Sequence, residues 1–397
     1  MPLIATPSML KQVPSKCYPR LSAKPTRERL VYWLTYGVMS ICLVTGALQC
    51  YLNWRNVDRD ISTPCILLDE EVNNPNTVFG TGINGNGGDG TGTVIREVDM
   101  SGYGGFKMAT DSSNNSDVEA GYLYIVPTLM SNALPLSSIF TDTVYNITGC
   151  TYNISTLYTQ ATTDADSETT FAQIEACSAS ARLTTLGRSS IRYGRVEVKA
   201  KMPKGDWSII YGTWLMSGEI DIVESRGNGP LYTFCGSNYI QGSLNWDLLR
   251  SLMRRKVFNL ATDPPNPSEQ DFHTYVLEWT LTFMRMYAQE AIFERGNFPS
   301  VVQNGSQSQM LQNPWVNGTN MTSFDLEFYL ILNVAVGGTN GWFPDGQGDK
   351  PWIDASDIKP FFPAMCDFTN AQSTWSATWP EDDYKLDYMK MWRHCDY

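Results

Sequence analysis

The sequence predicts an all-β sandwich preceded by one transmembrane helix. Helical periodicity is scarce beyond the N-terminus, and strand-like runs recur between clusters of Gly, Pro, Asn and Asp at residues 122–126, 195–201, 275–281 and 328–336. The chain has 397 residues, with 31 glycines, 21 prolines and 12% aromatic residues. This composition suits one large β domain better than several small domains.

The first 51 residues predict a membrane anchor. Residues 30–51 contain no charged side chain across 22 positions, the length that spans a bilayer as a helix. The preceding arm, residues 1–29, has six basic residues against one acid, so the positive-inside rule keeps it cytosolic. A cleaved signal peptide is the alternative, but a 29-residue leader is long and no A-x-A site follows the apolar run. The sequence therefore favours a single-pass type II membrane protein with a lumenal or extracellular domain.

The rest of the chain is acidic. After residue 29, 23 Lys and Arg residues stand against 40 Asp and Glu residues, a net charge of −17. This charge argues against a nucleic-acid partner. Gly37 and Gly46 in the apolar segment form too common a pattern to imply a helix dimer, and we expect a monomer.

Residues 52–99 are interpreted as a stalk that becomes low-complexity at GTGINGNGGDGTGT, residues 80–93. Gly80, Gly82 and Gly85 spell G-x-G-x-x-G, but no helix pattern follows that would present its N-terminus to a phosphate. A flexible linker is therefore the better interpretation. The sandwich domain is then expected over residues 100–397.

Six cysteines follow the apolar segment, an even number that suits disulfides in a secretory compartment. Cys150 with Cys177 and Cys366 with Cys395 are candidate pairs, although the sequence alone does not fix the connectivity. Six N-x-S/T sequons also follow that segment, as glycosylation requires. They are Asn114, Asn146, Asn153, Asn304, Asn317 and Asn320.

The hexapeptide EIDIVE, residues 219–224, holds three carboxylates. In a regular strand Glu219 and Asp221 share a face, and Glu224 lies on the other face. A β-bulge near Ile222 and Val223 would shift the register and return Glu224 to the face of the first two acids. Three acids would then line one cleft, as in a retaining glycosidase, whose two key carboxyl groups lie about 5–5.5 Å apart.

We expect Glu219 to be the nucleophile, Asp221 its assistant and Glu224 the acid/base. A carboxylate between the outer two would disfavour ionisation of the acid/base by like-charge repulsion, and it would hold an oxygen of the nucleophile by a hydrogen bond. The alternative is a solvated acidic strand face. The interleaved Ile and Val side chains and the nearby Trp214 argue against that alternative.

These acids belong to one of five segments that resemble the family 16 glycoside hydrolases, in the laminarinase-like (endo-β-1,3-glucanase) branch with the bulged E-x-D-x-x-E motif. The resemblance implies a concanavalin A-like jelly roll, with a concave glycan-binding face and retaining cleavage or transfer at β-1,3-linked glucans. The segments stand in family order, and the resemblance spans most of residues 100–397. They are GYLYIVPTL (121–129), SIRYGRVEVKAKMPKGDW (190–207), GEIDIVESRGN (218–228), FHTYVLEW (272–279) and FYLILNVAVGGTNGW (328–342).

The resemblance also implies binding residues. Asn245 and Trp246 stand where many relatives have a His-Trp pair that approaches the −1 sugar. Trp214, Trp246 and Trp342 are candidate platforms for sugar rings, although each could equally belong to the core. Several relatives bind a structural calcium ion through a C-terminal Asp, for which Asp387 is the matching position, but one carboxylate does not by itself specify a metal.

No other cofactor is expected. The chain has only two histidines, His273 and His394, far apart in sequence, so the sequence indicates neither a Ser-His-Asp triad nor a zinc site.

The sequence departs from the family pattern near the cleft. Only nine residues, 208–216, separate Trp207 from Ser217, where relatives have a Trp- and Pro-rich strand and a cleft loop. Residues 247–270 also differ from the family loop and contain a basic cluster. The main hypothesis is a membrane-anchored retaining β-glucanase or transglycosylase. The alternative is a glucan-binding receptor with a degenerate cleft; the three retained acids favour the enzyme.

Overall fold

The computed structural model divides the chain into two compact units, Met1–Ile61 and Ser62–Tyr397. The residues that the structure describes are 26–56, 64–80, 92–99, 105–140, 144–148, 151, 162–163, 169–173, 176–210, 218–232, 235–246, 254–261, 271–281, 283–288, 302–304, 307–309, 321–322, 324–354, 361–379 and 384–395.

The first unit contains one long helix, α1 (Thr26–Asn56). Within it, Arg29–Leu52 is long and apolar enough to cross a membrane, and its central window is not buried by other parts of the protein. The predicted N-terminal apolar helix is therefore confirmed.

Two seven-stranded sheets form the body of the second unit. Sheet I contains β1 (Pro64–Glu70), β4 (Ser116–Glu119), β5 (Tyr122–Ile125), β13 (Gly194–Lys201), β18 (His273–Trp279), β19 (Met284–Ala288) and β24 (Tyr384–His394). Sheet II contains β2 (Ile95–Arg96), β11 (Arg182–Thr184), β14 (Ser208–Ile210), β15 (Glu219–Arg226), β16 (Tyr239–Trp246), β17 (Arg254–Ala261) and β23 (Ile331–Val336).

Smaller elements connect these strands. Three-stranded sheets are formed by β3 (Lys107–Ala109), β6 (Thr128–Leu129) and β10 (Ser178–Ser180), and by β7 (Val144–Thr148), β8 (Thr162–Thr163) and β9 (Thr169–Gln173). Paired strands are β12 (Ser190–Ile191) with β22 (Phe328–Tyr329), and β20 (Val302–Asn304) with β21 (Gln307–Gln309). The short helices are α2 (Pro75–Phe79), α3 (Leu136–Phe140), α4 (Phe361–Asn370) and α5 (Gln372–Trp375).

The strand order in sheet I is β19-β18-β13-β24-β5-β4, with β1 also paired to β24, and the order in sheet II is β17-β16-β15-β14-β23-β11-β2. Neighbouring strands in both sheets are antiparallel. Strands adjacent in sheet II, such as β14 and β23, are distant in sequence. The prediction of a sheet-rich domain is therefore confirmed.

The main core lies between the two sheets. Alternation along β13 buries Val196 and Val198 and turns the charged side chain of Glu197 between them to the other face. Leu244 and Val334 of sheet II belong to the same apolar cluster. Full burial of one such side chain contributes roughly 1.5–3 kcal/mol, so these alternating positions determine which face of each strand points inward.

A second cluster is aromatic and surrounds Trp352. The rings of Phe106, Trp207, Phe343 and Phe368 lie within 5.1–6.0 Å of the Trp352 ring, mostly edge to face. The indole N–H of Trp352 donates to the carbonyl oxygen of Gly338 at 2.7 Å. Trp207 and Trp352 therefore serve packing.

The folded unit begins well before residue 100. Strand β1 pairs with β24 from Pro64, and β2 joins the edge of sheet II beside β11. Residues 64–80 and 92–99 thus belong to the sandwich rather than to the expected stalk, while residues 81–91 of the glycine-rich stretch lie outside the described residues.

The disulfide found among the described residues joins Cys65 to Cys395 and ties the first strand of the sandwich to its last. The predicted pair of Cys366 with Cys395 is wrong, because Cys366 carries a free thiol and β1 brings Cys65 beside the end of β24. Cys177 is also free and buried, against its suggested pairing with Cys150, which lies outside the described residues.

Candidate active site

Strand β15 carries the three acids and is bulged between the second and third. Asp221 and Glu224 lie opposite Ser243 and Gln241, which are alternate positions of β16. The two residues between the acids therefore face the single residue between their partners, and the predicted bulge is confirmed. The extra residue brings Glu224 onto the face of Asp221.

The residue opposite the bulge is Gly242. A Cβ atom there would lie 3.0 Å from Sδ of Met286 and 3.5 Å from the carbonyl oxygen of Asp221. The first distance is shorter than an ordinary van der Waals contact, so a side chain at this position would push against Met286 of β19. Glycine therefore leaves room for Met286 to pack opposite the bulge.

Asn245 connects two of the acids. Its Nδ2 donates to Oε2 of Glu219 at 3.1 Å and to Oδ2 of Asp221 at 2.7 Å. An amide nitrogen carries two hydrogens, so one can serve each carboxylate. The predicted binding residue Asn245 is thus buried among the acids, and its amide nitrogen orients their carboxylates.

Glu224 has two further donors on β16. Nε2 of Gln241 donates to its Oε2 at 2.8 Å, and the Ser243 hydroxyl donates to the same oxygen. A hydroxyl can donate to a carboxylate or accept from a carboxylic acid, so Ser243 can hydrogen bond to Glu224 in both protonation states.

Gln241 and Ser243 are functional candidates that sequence reasoning missed. The signal was present, because 241, 243 and 245 alternate as polar residues along one strand. Only the pairing of β16 with β15 shows which of these side chains meets which acid.

The acids differ in accessibility. Asp221 and Glu224 are each 4% exposed, whereas Glu219 at the start of β15 is partly exposed. Burial strengthens electrostatic interactions between the carboxylates and their donors. The most accessible of the three carboxylates is therefore that of Glu219, the expected nucleophile.

A cavity of about 150 Å³ borders this row. Its lining includes Glu219 and Asp221 of β15 and Asn333 of β23, together with Glu327. The rest of the described lining is mainly apolar and comes from both sheets.

Of the predicted tryptophan platforms, Trp342 is the one whose side chain the structure describes, and it is buried. Trp342 is 7% exposed, and the Arg226 guanidinium lies 4.3 Å from the centre of its ring. Arg226 also donates to the Trp342 carbonyl oxygen through Nε and Nη2, at 3.1 and 2.7 Å. Trp342 therefore packs in the aromatic cluster rather than offering an open face. Trp214 and the side chain of Trp246 lie outside the described residues.

Asp387, the candidate calcium ligand, is paired with a lysine. Its Oδ2 lies 2.6 Å from Nζ of Lys199 on the neighbouring strand β13. Among the described residues, no group of three or more His, Cys, Asp or Glu side chains is placed to hold a metal ion. A bound ammonium repels a second cation, so the surroundings of Asp387 do not fit calcium.

Comparison with known proteins gives one matching family model and two kinds of similar protein. Residues 149–300 match the family model of the glycosyl hydrolases family 16. The chain is 37% identical over 236 residues to a beta-1,3-glucan-binding protein of Penaeus monodon, covering 54% of this chain and 62% of that protein. It is 31% identical over 174 residues to a beta-glucanase of Rhodothermus marinus, covering 41% of this chain and 54% of that enzyme.

The chain thus spans less than two thirds of the length of either relative. Among solved structures, the laminarinase of Rhodothermus marinus is similar, with 19% sequence identity and a TM-score of 0.46. That similarity covers 84% of this chain and 98% of the laminarinase.

Proposed function

From the family 16 glycosyl hydrolase domain that this chain carries at residues 149–300, we infer that the protein acts on β-linked glucans. We propose a retaining glycosidase, either a hydrolase or a transglycosylase, with β-1,3-linked glucan as its substrate. The observation that carries this proposal is the bulge in β15, which aligns Glu219, Asp221 and Glu224 opposite a row of hydrogen-bond donors.

In the proposed mechanism, Glu219 attacks the anomeric carbon while Glu224 protonates the leaving glycosidic oxygen. The glycosyl–Glu219 ester is then cleaved by water, or by a sugar hydroxyl in a transferase, with Glu224 removing the proton from the attacking oxygen. Glu224 therefore alternates between protonated and ionised forms within each turnover.

The contacts around the acids suit these roles. The Ser243 hydroxyl can reverse its hydrogen bond to Glu224 when that carboxyl group changes protonation state. Asn245 bonds to both Glu219 and Asp221 and so restrains two like charges that would otherwise repel each other. Preorganised groups of this kind lower the reorganisation needed in the transition state.

A second candidate function is a glucan-binding protein that does not cleave its ligand. The name of the Penaeus monodon relative favours this alternative. The three carboxylates and their hydrogen-bond donors on β16 argue against this alternative. Binding a neutral glucan does not require a buried acid such as Glu224.

The proposal includes a location outside the cytosol, with α1 as a type II signal anchor and the sandwich in the family's jelly-roll connectivity. The six basic residues before the apolar segment support this orientation. The Cys65–Cys395 disulfide supports an oxidising compartment. Asn114, a sequon residue on an exposed turn, is open to glycosylation there.

The test is hydrolysis of laminarin and of mixed-linkage β-glucan by the full chain in detergent, followed by reducing-end release and by the anomeric configuration of the first product. We expect a β-configured product and no turnover by a Glu219→Gln variant, which keeps the size of the side chain and removes the nucleophile. If the wild-type protein binds laminarin without releasing reducing ends or transferring glycosyl groups, the glucan-binding alternative is correct.

A further inference from the structure

A second polar cluster lies beside the acid row. Lys107 of β3 and Asn333 of β23 are 2% and 5% exposed. Arg182 of β11 is paired across the strands with Asn333 and forms an ion pair with Glu97. The cluster thus joins sheet II to the small sheet that contains β3, on strands other than those that carry the acids and their donors.

The contact at the centre of this cluster is a hydrogen bond from Nζ of Lys107 to Oδ1 of Asn333. In its ammonium form a lysine donates and cannot accept, so it meets the oxygen of the amide rather than its nitrogen. The amide nitrogen of Asn333, which has two hydrogens to donate, is then directed away from Lys107.

Asn333 connects this cluster to the candidate active site. It lines the cavity of about 150 Å³ that Glu219 and Asp221 also line. Asn333 is therefore close to two of the acids at which a sugar would be held, whereas Lys107 is not part of the described lining.

Keeping a lysine at this position opposes folding. Burial lowers the pKa of Lys107 to about 7, and the negative charge of Asp99 partly offsets that effect. A buried methionine would fill a similar volume without the desolvation penalty. A packing role alone therefore gives no reason for an ammonium group here.

We propose that Lys107 is a positioning residue, which fixes the side-chain amide of Asn333 so that its nitrogen donates to a hydroxyl or ring oxygen of the bound glucan. This inference rests on the proposed function, because it requires a glucan beside Glu219 and Asp221. Lys107 then influences the affinity for glucan only through Asn333.

The test is a double-mutant cycle on laminarihexaose binding, measured by isothermal titration calorimetry with the full chain in detergent. The variants are Lys107→Met, Asn333→Ala and the double variant, all in a Glu219→Gln background that prevents turnover. We expect each single change to raise the Kd about tenfold, and the double variant to bind no more weakly than Asn333→Ala alone. Lys107→Gln, which keeps a donor for Oδ1 of Asn333, should recover most of the affinity.

A matched control is Lys350→Met. Lys350 is another fully buried lysine, whose Nζ lies 2.6 Å from Asp345 and 2.5 Å from Asp354. Lys350→Met should lower the stability and leave the Kd for laminarihexaose unchanged. This result would separate the general effect of losing a buried charge from a specific effect of Lys107. Circular dichroism of each variant verifies folding, and Lys107→Ala, which also removes the donor, provides the test if Lys107→Met does not fold.

Three outcomes would overturn the proposal. Additive effects in the double variant would mean that Lys107 does not act through Asn333. An unchanged Kd in Lys107→Met and Lys107→Gln would show that the lysine has no positioning role, while the proposed function would stand if the background protein binds. Absence of laminarihexaose binding in both the wild-type protein and the background would instead remove the proposed function itself.

Discussion

The hydroxyl of Ser243 donates a hydrogen bond to Oε2 of Glu224, across the pair of strands where β15 is bulged. Without the bulge, Glu224 would point to the opposite face of sheet II, and Val223 instead of Glu224 would lie opposite Gln241. The contact between Ser243 and Glu224 therefore forms only because β15 contains one extra residue. The bulge thus determines a hydrogen bond of the proposed acid/base.

Ser243→Ala should lower kcat/KM on laminarin by roughly 10- to 100-fold, because a hydrogen bond to a charged group contributes about 1.5–3 kcal/mol. Initial rates of reducing-end release measure this change. Ser225→Ala is the control, since it removes a buried hydroxyl of β15 that is bonded to the Tyr239 carbonyl oxygen rather than to an acid. Equal rates for wild type and Ser243→Ala would contradict a role for this hydroxyl.

Asn245→Asp should reduce stability and make it depend on pH. The new carboxyl group would lie beside Glu219 and Asp221, so like-charge repulsion raises its pKa in the folded state above the value of about 3.9 in the unfolded chain. The folded state then binds more protons than the unfolded state, and stability falls as pH rises through the range between the two pKa values.

Urea unfolding at several pH values between about 4 and 7 measures this dependence. Asn245→Ala removes the same donors without adding a charge, so the difference in pH dependence between the two variants reports the new carboxyl group. A parallel pH dependence of Asn245→Asp and Asn245→Ala would mean that the new carboxyl does not sense the neighbouring acids.

Calcium should not stabilise the protein. The Asp387 carboxylate already bonds to Lys199, and hydrogen bonding to this carboxylate raises the pKa of Lys199, so its ammonium stays charged across the neutral range. Thermal unfolding of the full chain should give the same Tm in excess calcium chloride and in EGTA. A rise in Tm with calcium that disappears in Asp387→Asn would show that a calcium site forms there after all.

The Cys65–Cys395 disulfide should be a major source of stability, because it closes a loop with a sequence separation of 330 residues. In the chain-entropy model, a loop of this size contributes roughly 6 kcal/mol through the unfolded chain, although native strain lowers this figure in many proteins. Cys395→Ser should therefore lower the Tm strongly, and adding a reductant to wild type should have the same effect. Cys366→Ser, which removes a free thiol, should leave the Tm nearly unchanged.

Features encoded over a few residues were predictable from the sequence. The spacing of Glu219, Asp221 and Glu224 indicated the bulge, because no other strand geometry brings all three to one face. Features that depend on partners distant in sequence were not predictable. The wrong pairing of Cys366 arose because nothing near Cys395 indicates that β1 pairs with β24.

The burial of Trp342 could not be predicted from the sequence for the same reason. An exposed platform and a core indole have the same local sequence, and the contact with Arg226 depends on how the loop after β23 packs against the end of β15. Gln241 and Ser243 were visible as an alternating polar pattern, yet their partners depend on the β15–β16 register.

Lys107 should make stability depend on pH in the direction opposite to that of a salt-bridged lysine. Burial lowers its pKa from 10.5 to about 7, so between these values the unfolded state holds the proton and the folded state does not. The unfolded state then binds more protons, and the free energy of unfolding rises with pH across this window by up to about 1.4 kcal/mol per pH unit. Below pH 7 both states are protonated, so the full desolvation penalty is present there.

Lys107→Met has no proton to release, so its unfolding free energy should exceed that of the wild type most at pH 6–7 and by progressively less toward pH 10. Urea titrations of both proteins across this range measure the difference. A constant difference would mean that Lys107 keeps an ordinary pKa in the folded state, through solvent access or stronger charge compensation by Asp99. Since this measurement does not involve glucan, it tests the buried charge independently of the proposed activity.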